Sequence, residues 1–245
     1  MRLFLIAFQF LTIIPFPFTV RCDKEDLGRS TLFFPVAGLV IGLLLVVGNG
    51  LISLWLPRPL CDALLITMLT LITGALHLDG LADVCDGLAA RGNRERFLAI
   101  MKDSQVGAIG AVGLVLGLLL KWQALVAVPM ELKWQALLLF PALARFGQVL
   151  TLTGARHARQ DGLGAAFVEG SGKTALLLAF ATVAAAGYFL LHFRGIAALA
   201  AVCLFTSAGR MFFQHKLGGL TGDTIGCLSE LNEILVLVVF TIVVQ

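Results

Sequence analysis

Apolar residues run through this chain in blocks too long for a soluble core, and polar residues gather in the gaps between them. Leu32 to Leu56, Leu60 to Leu76, Val106 to Val128, Trp134 to Thr153, Ala175 to Phe193, Ile196 to Phe213 and Thr221 to Val244 are such blocks. Each is near the length of about 20 residues that a helix needs to cross a bilayer. Backbone groups have no water to bond with in hydrocarbon, so blocks of this kind fold as helices. The pattern predicts an all-α, polytopic integral membrane protein of roughly six or seven spans, forming one domain over residues 1–245. Leu3 to Phe18 is broken by Pro15 and Pro17 and reads as an interfacial or re-entrant helix ending at Pro15. Gly38 and Gly42 give the first long block a small-xxx-small packing face. Lys121 stands near the far end of its block, where its stem can snorkel to the interface. Arg194-Gly195 marks the turn of a hairpin between two later blocks.

Composition agrees with the pattern. The 245 residues are 59% hydrophobic and 13% charged, with a mean hydropathy of +0.95, whereas a soluble domain carries about 25% charge. The formal charge of +3 is too slight to argue for nucleic acid as a partner. It is better explained as loop charge that sets orientation. Loops 21–30, 87–105, 155–173 and 214–220 hold most loop Lys and Arg, and the opposite turns hold little beyond Arg58, Lys133 and Arg194. The positive-inside rule therefore assigns the first set to the cytoplasm. Met1–Val20 lacks a small-residue cleavage site, so no cleavable signal is expected. The five cysteines show neither CxxC nor Cys/His ligand spacing and read as buried small residues. Gly170-Ser-Gly172-Lys173-Thr174 imitates a phosphate loop, but Phe167 stands where that motif needs glycine. His157, His192 and His215 are isolated.

The chemistry concentrates in two stretches. From Gly74 to Gly110 the chain carries His77, Asp79, Asp83 and Asp86 on one predicted helix, with no Lys or Arg between Asp79 and Asp86. Steps of four and seven residues put the aspartates on one face within roughly 60°. Carboxylates so placed repel unless a cation lies between them, and hard oxygen donors suit Mg²⁺ or Mn²⁺ together with substrate phosphates. Gly80 and Gly87 each follow an aspartate, where a missing side chain admits a bulky ligand. The second stretch, Gly218 to Glu233, sets Asp223, Glu230 and Glu233 on one face at the head of the last block. Acids there need partners, which are either a shared cation or Arg145 and Arg210 on neighbouring blocks.

With both stretches in view, the chain closely resembles the cobalamin synthase family of adenosylcobinamide-GDP ribazoletransferases. The resemblance runs through FLTIIPFP, GALHLDGLADVCDGL, MKDSQVGAIG, ARQDGLGAAF and GGLTGDTIGCLSELNE, nearly the whole length. It implies transfer of adenosylcobinamide phosphate from adenosylcobinamide-GDP to α-ribazole or its 5′-phosphate. GMP would be released in a bacterial cytoplasmic (inner) membrane, with lipid around the protein. A diphosphate displacement needs cations on the attacked group and on the leaving oxygen. The expectation is therefore one site with Asp79, Asp83 and Asp86 on one wall and Asp223, Glu230 and Glu233 on the other. Arg210 is expected near the diphosphate. Asp103 is the expected proton acceptor, and for His77 a ligand-orienting, basic or phosphate-binding role stays open. Gly80, Gly87, Lys102, Ser104, Arg145, Arg210, Gly219, Thr221 and Gly222 complete the expected substrate contacts. Two alternatives would differ in the pattern of acids. A CDP-alcohol-type phosphotransferase would carry arginine where Asp83 stands. A cation-coupled transporter would set its acids near the midplane, within repeats. Oligomeric state stays open.

Overall fold

The computed structural model describes residues 1–15, 20, 22–90, 93–103, 105–158, 166–167 and 170–242. Among these the chain is helical apart from one isolated bridge between His157 and Leu220. In chain order the helices are α1 (Arg2–Leu11), α2 (Lys24–Ser30), α3 (Phe34–Ile52), α4 (Arg58–Thr73), α5 (Leu76–Ala89) and α6 (Arg94–Ile100). They continue as α7 (Ala108–Ala127), α8 (Lys133–Leu152), α9 (Lys173–Leu191), α10 (Phe193–Leu217) and α11 (Gly222–Ile242). Among the described residues six stretches are long and apolar enough to cross a membrane by themselves, and α4 with α5 makes a seventh if the pair, bent by 93°, counts as one. The expected polytopic all-α protein is what forms.

Helix α8 is the centre of the bundle. Its span is 83% buried, against 28% for the spans of α7, α9 and α10, which turn much of their surface outward. Helix α3 lies along α8 through Gly38 and Gly42. A methyl group on Gly38 would come within 2.5 Å of Ala142 Cα, and one on Gly42 would strike the Leu138 carbonyl. Without a hydrophobic drive between helices in lipid, such backbone approach is a main source of cohesion.

The bend between α4 and α5 arises from two consecutive left-handed residues, Gly74 at φ 60° and Ala75 at φ 57°. Glycine adopts this region freely, whereas Ala75 does so at a steric cost. The amide of Ala75 bonds to the Thr70 carbonyl at 3.0 Å, which closes α4. Ile13 packs on Gly74 and donates its amide to the Ile72 carbonyl at 2.8 Å, so the N-terminal segment braces the bend.

Three boundaries differ from expectation. Helix α1 stops at Leu11 rather than Pro15, since Thr12 is extended and its hydroxyl bonds back to the Phe8 carbonyl; residues 16–19 lie outside the described residues. The hairpin turns at His192 (φ 49°), not at Arg194-Gly195. Gly195 is already helical and packs onto the Gly187 backbone. Lys121 does not snorkel; it is buried within the bundle.

The polar connections gather at one end. Thr31 Oγ1 and Ser171 Oγ lie 3.3 Å apart, and Arg94 donates to the carbonyls of Leu217 and Ala158 at 2.6 and 2.9 Å. Ala158 and Leu220 share a backbone hydrogen bond of 2.9 Å. Loops separated by most of the sequence thus form one polar cap.

Candidate active site

Helix α5 leaves the bend and runs antiparallel to both α7 and α11. Cys85 meets Gly113 and Leu81 meets Gly117, while Gly80 meets Asp223 and His77 meets Gly226. At the α11 crossing the backbones nearly touch, for a methyl group on Gly80 would lie 2.6 Å from the Asp223 carbonyl and 3.0 Å from its Cα. The two acidic stretches therefore meet. Asp79 and Asp83 flank Gly80 one residue before and three residues after it. Asp79 is exposed, and Asp83 and Asp223 are half-buried. Gly80 serves this helix contact, which corrects its expected role as a ligand-facing gap.

The head of α11 is well formed. Thr221 Oγ1 accepts the Thr224 amide at 3.2 Å, and Thr224 Oγ1 accepts the Thr221 amide at 3.0 Å. Buried Thr221 thus caps the helix. Gly222 is exposed with open space over its Cα, at the end of a helix whose dipole favours anions. Gly219 is used otherwise, because its Cα presses on the backbone of Arg156 to Ala158.

The remaining acids divide sharply. Asp86 accepts the amide of Gly107 at 2.8 Å with one oxygen and that of Gly110 at 2.7 Å with the other. It thereby caps α7 and ties the preceding loop to α5; this use departs from its expected place among the metal ligands. Glu230 and Glu233 lie inside the bundle. Lys121 Nζ reaches an oxygen of each at 2.5 Å, and Arg145 pairs with the other oxygen of Glu233. All four side chains are nearly inaccessible, and Arg145 and Glu233 are wholly so. Two carboxylates and two cations sum to zero, the arrangement that makes buried charge tolerable. Of the two expected kinds of partner, protein cations are the ones present. Glu230 and Glu233 thus depart from the expected metal set, and Arg145 from the expected substrate contacts.

Arg210 also takes another role. It donates to the carbonyls of Leu150, Thr153 and Gly154 at 2.7–3.1 Å, closing the C-terminus of α8. Gly87 accommodates the Phe97 ring, 2.6 Å from where its Cβ would lie. His77 is buried, and its Nε2 lies 2.8 Å from the Gln148 amide nitrogen, which also donates to Ser229 Oγ at 2.8 Å. One side chain of α8 thus bridges α5 and α11 a turn below the acidic crossing. Buried Nδ1 of His77 has no hydrogen-bond partner. Lys102 and Asp103 are exposed in the turn after α6, where Asp103 accepts the Gln105 amide at 3.1 Å. Ser104 lies outside the described residues. Gln148, Ser229 and Lys121 belong to this buried network but not to the expected site residues. The spacing of Arg145 and Gln148, one turn apart in an apolar helix, was the available signal.

Among the described residues no three His, Cys, Asp or Glu side chains close on one point as a metal cage. Asp79, Asp83 and Asp223 offer only hard oxygen donors, from two helices whose separation is set by Gly80. That donor set fits a Mg²⁺-like ion held by one or two carboxylates with water and substrate phosphate, rather than by protein alone.

The fold defines a polytopic membrane protein, and an acidic face lies at the polar end of its helix bundle. Comparison with known proteins gives the family. The model described as cobalamin-5-phosphate synthase matches residues 3–241, and the chain belongs to that family. It is 57% identical to an adenosylcobinamide-GDP ribazoletransferase of Geotalea daltonii over 97% of this chain and 96% of the relative. Relatives of the same name in Pseudomonas syringae pv. syringae and Acetivibrio thermocellus are 42% and 33% identical, each over 96% of both chains. No solved structure matches the chain.

Proposed function

We propose that this chain is an adenosylcobinamide-GDP ribazoletransferase of the bacterial inner membrane, working at the cytoplasmic face. A ribose hydroxyl of α-ribazole, or of its 5′-phosphate, attacks the phosphorus bonded to cobinamide. A new P–O bond forms, the diphosphate P–O bond breaks and GMP departs. The observation that carries this reading is the backbone contact of Gly80 with Asp223, because it joins two acidic stretches into one open face.

Asp79, Asp83 and Asp223 would hold Mg²⁺, with Mn²⁺ able to substitute. The ion supplies charge neutralisation at the diphosphate and at the leaving oxygen. The capped start of α11, with Gly222 uncovered, favours the phosphate charge by its dipole. Asp103 takes the hydroxyl proton and Lys102 faces the anionic substrate. Support for this comes from the Asp86 clamp, which ties the loop carrying both to α5 one turn from Asp83. The positive charge of that same polar end supports its cytoplasmic assignment. A carrier reading is disfavoured because the deep carboxylates Glu230 and Glu233 are already neutralised by Lys121 and Arg145.

The test is GMP release by the purified chain in lipid nanodiscs, supplied with adenosylcobinamide-GDP and α-ribazole. Release should depend on both substrates, stop with EDTA and return with excess Mg²⁺. Release without α-ribazole, or unaffected by chelation, would overturn the reading.

A further inference from the structure

On the back of the acidic helix lies an open apolar groove of about 440 Å³. Helix α11 forms its floor with Cys227, Leu228 and Leu231. Helix α5 forms one wall with Leu81, Val84 and Leu88, and α10 forms the other with Phe205, Ala208 and Phe212. Leu88 is 45% and Phe212 49% exposed, so the groove opens sideways from the bundle, toward lipid rather than toward the acids. Asp79 and Leu88 are nine residues apart, which sets them about 180° apart around α5.

The ends of the groove differ. Its deep end is apolar. At the polar end of the bundle, the α10 stripe through Phe205, Ala208 and Phe212 continues one turn on to Lys216, exposed beside exposed His215 in the last turn. Arg94 donates to the Leu217 carbonyl there, offsetting the negative end of the α10 dipole. An apolar channel in a membrane-spanning bundle, with an exposed lysine one turn beyond its interfacial end, has the charge and polarity order of a phospholipid.

We propose that this groove binds one anionic phospholipid. An acyl chain lies between α5 and α10 on the floor of α11, and the phosphate meets Lys216 and His215. The chain then backs the helix that carries Asp79 and Asp83, so membrane composition acts on the acidic face through α5. A second copy of this chain is the competing occupant, but its flank would have to be apolar at depth and anionic at the interface.

The test uses full-length protein in mild detergent, with phosphatidylglycerol and phosphatidylcholine as probes and native mass spectrometry as readout. One phosphatidylglycerol should be retained per chain, preferred by about fivefold for each basic residue engaged. Ala208→Trp should abolish retention while helicity and thermal melting stay unchanged. Lys216→Glu should remove the preference for phosphatidylglycerol and leave weak binding of both lipids. Wild-type protein supplies an independent readout, because Cys85 lines the groove and its maleimide labelling should slow when phosphatidylglycerol is added. Equal retention by Ala208→Trp, or Cys85 labelling insensitive to the lipid, overturns the proposal. A dimer cross-linked through Cys85 does so too, by making the groove a protein interface.

Discussion

Two groups of acidic residues within this bundle have opposite fates. Glu230 and Glu233 lie deep among α7, α8 and α11 and are matched by Lys121 and Arg145. Asp79, Asp83 and Asp223 lie at the polar end, exposed or half-buried. The first group is a neutral cluster that locks three helices together. The second is an accessible acidic face at a backbone contact between α5 and α11. Carboxyl chemistry is the same in both, so the difference lies in the depth at which the fold sets them.

The largest effect should come from breaking the neutral cluster. Lys121→Met leaves two carboxylates facing one another in the bundle and should cost about 3–5 kcal/mol, read as loss of monodisperse protein in detergent. Lys121→Met combined with Glu230→Gln should recover part of that loss; no recovery would mean that Lys121 matters for packing rather than charge.

The opposite behaviour is expected at the open face. Asp83→Asn should lower GMP release by at least about a hundredfold with little change in melting temperature, because the amide keeps the shape of the carboxylate at a position that is only half-buried. If Asp83→Asn unfolds the protein instead, the two regions are not different in kind. Gly80→Val tests what holds the face together. Its side chain would strike the Asp223 backbone, so overpacking should cost about 1–3 kcal/mol and weaken Mg²⁺ activation, seen as a raised half-saturating concentration. The smallest effect belongs to the α11 cap. Thr221→Ala should cost about 1 kcal/mol and leave the Lys121 cluster intact, measurable as a modest drop in melting temperature.

Much of this was legible without coordinates. The spans were set by block length and hydropathy, because hydrocarbon leaves the backbone no alternative to helix. The Gly38 and Gly42 face was legible because small residues four apart in an apolar helix have few other uses. Asp79, Asp83 and Asp223 stood out because they are acids without neighbouring bases in sequence. Asp86 looked the same by that measure. Its capture by the amides of Gly107 and Gly110, more than twenty residues on, depends on where α7 begins relative to α5.

By itself, then, the sequence determined the all-helical membrane class, the two acidic stretches and their presence at one end of the bundle. These follow from local composition and periodicity, which a single segment carries in full. Only the tertiary structure decided which acids are buried against Lys121 and Arg145 and which stay at the accessible end. Lys121 reads equally well as a snorkelling residue or as a buried counter-ion, and Arg145 and Arg210 look alike on paper. One arginine pairs with Glu233 and the other caps α8. Charge pairing in a bundle is set by the depth and rotation of helices distant in sequence. Those are fixed by backbone contacts such as Gly80 on Asp223 and Gly38 on Ala142, which no single segment contains.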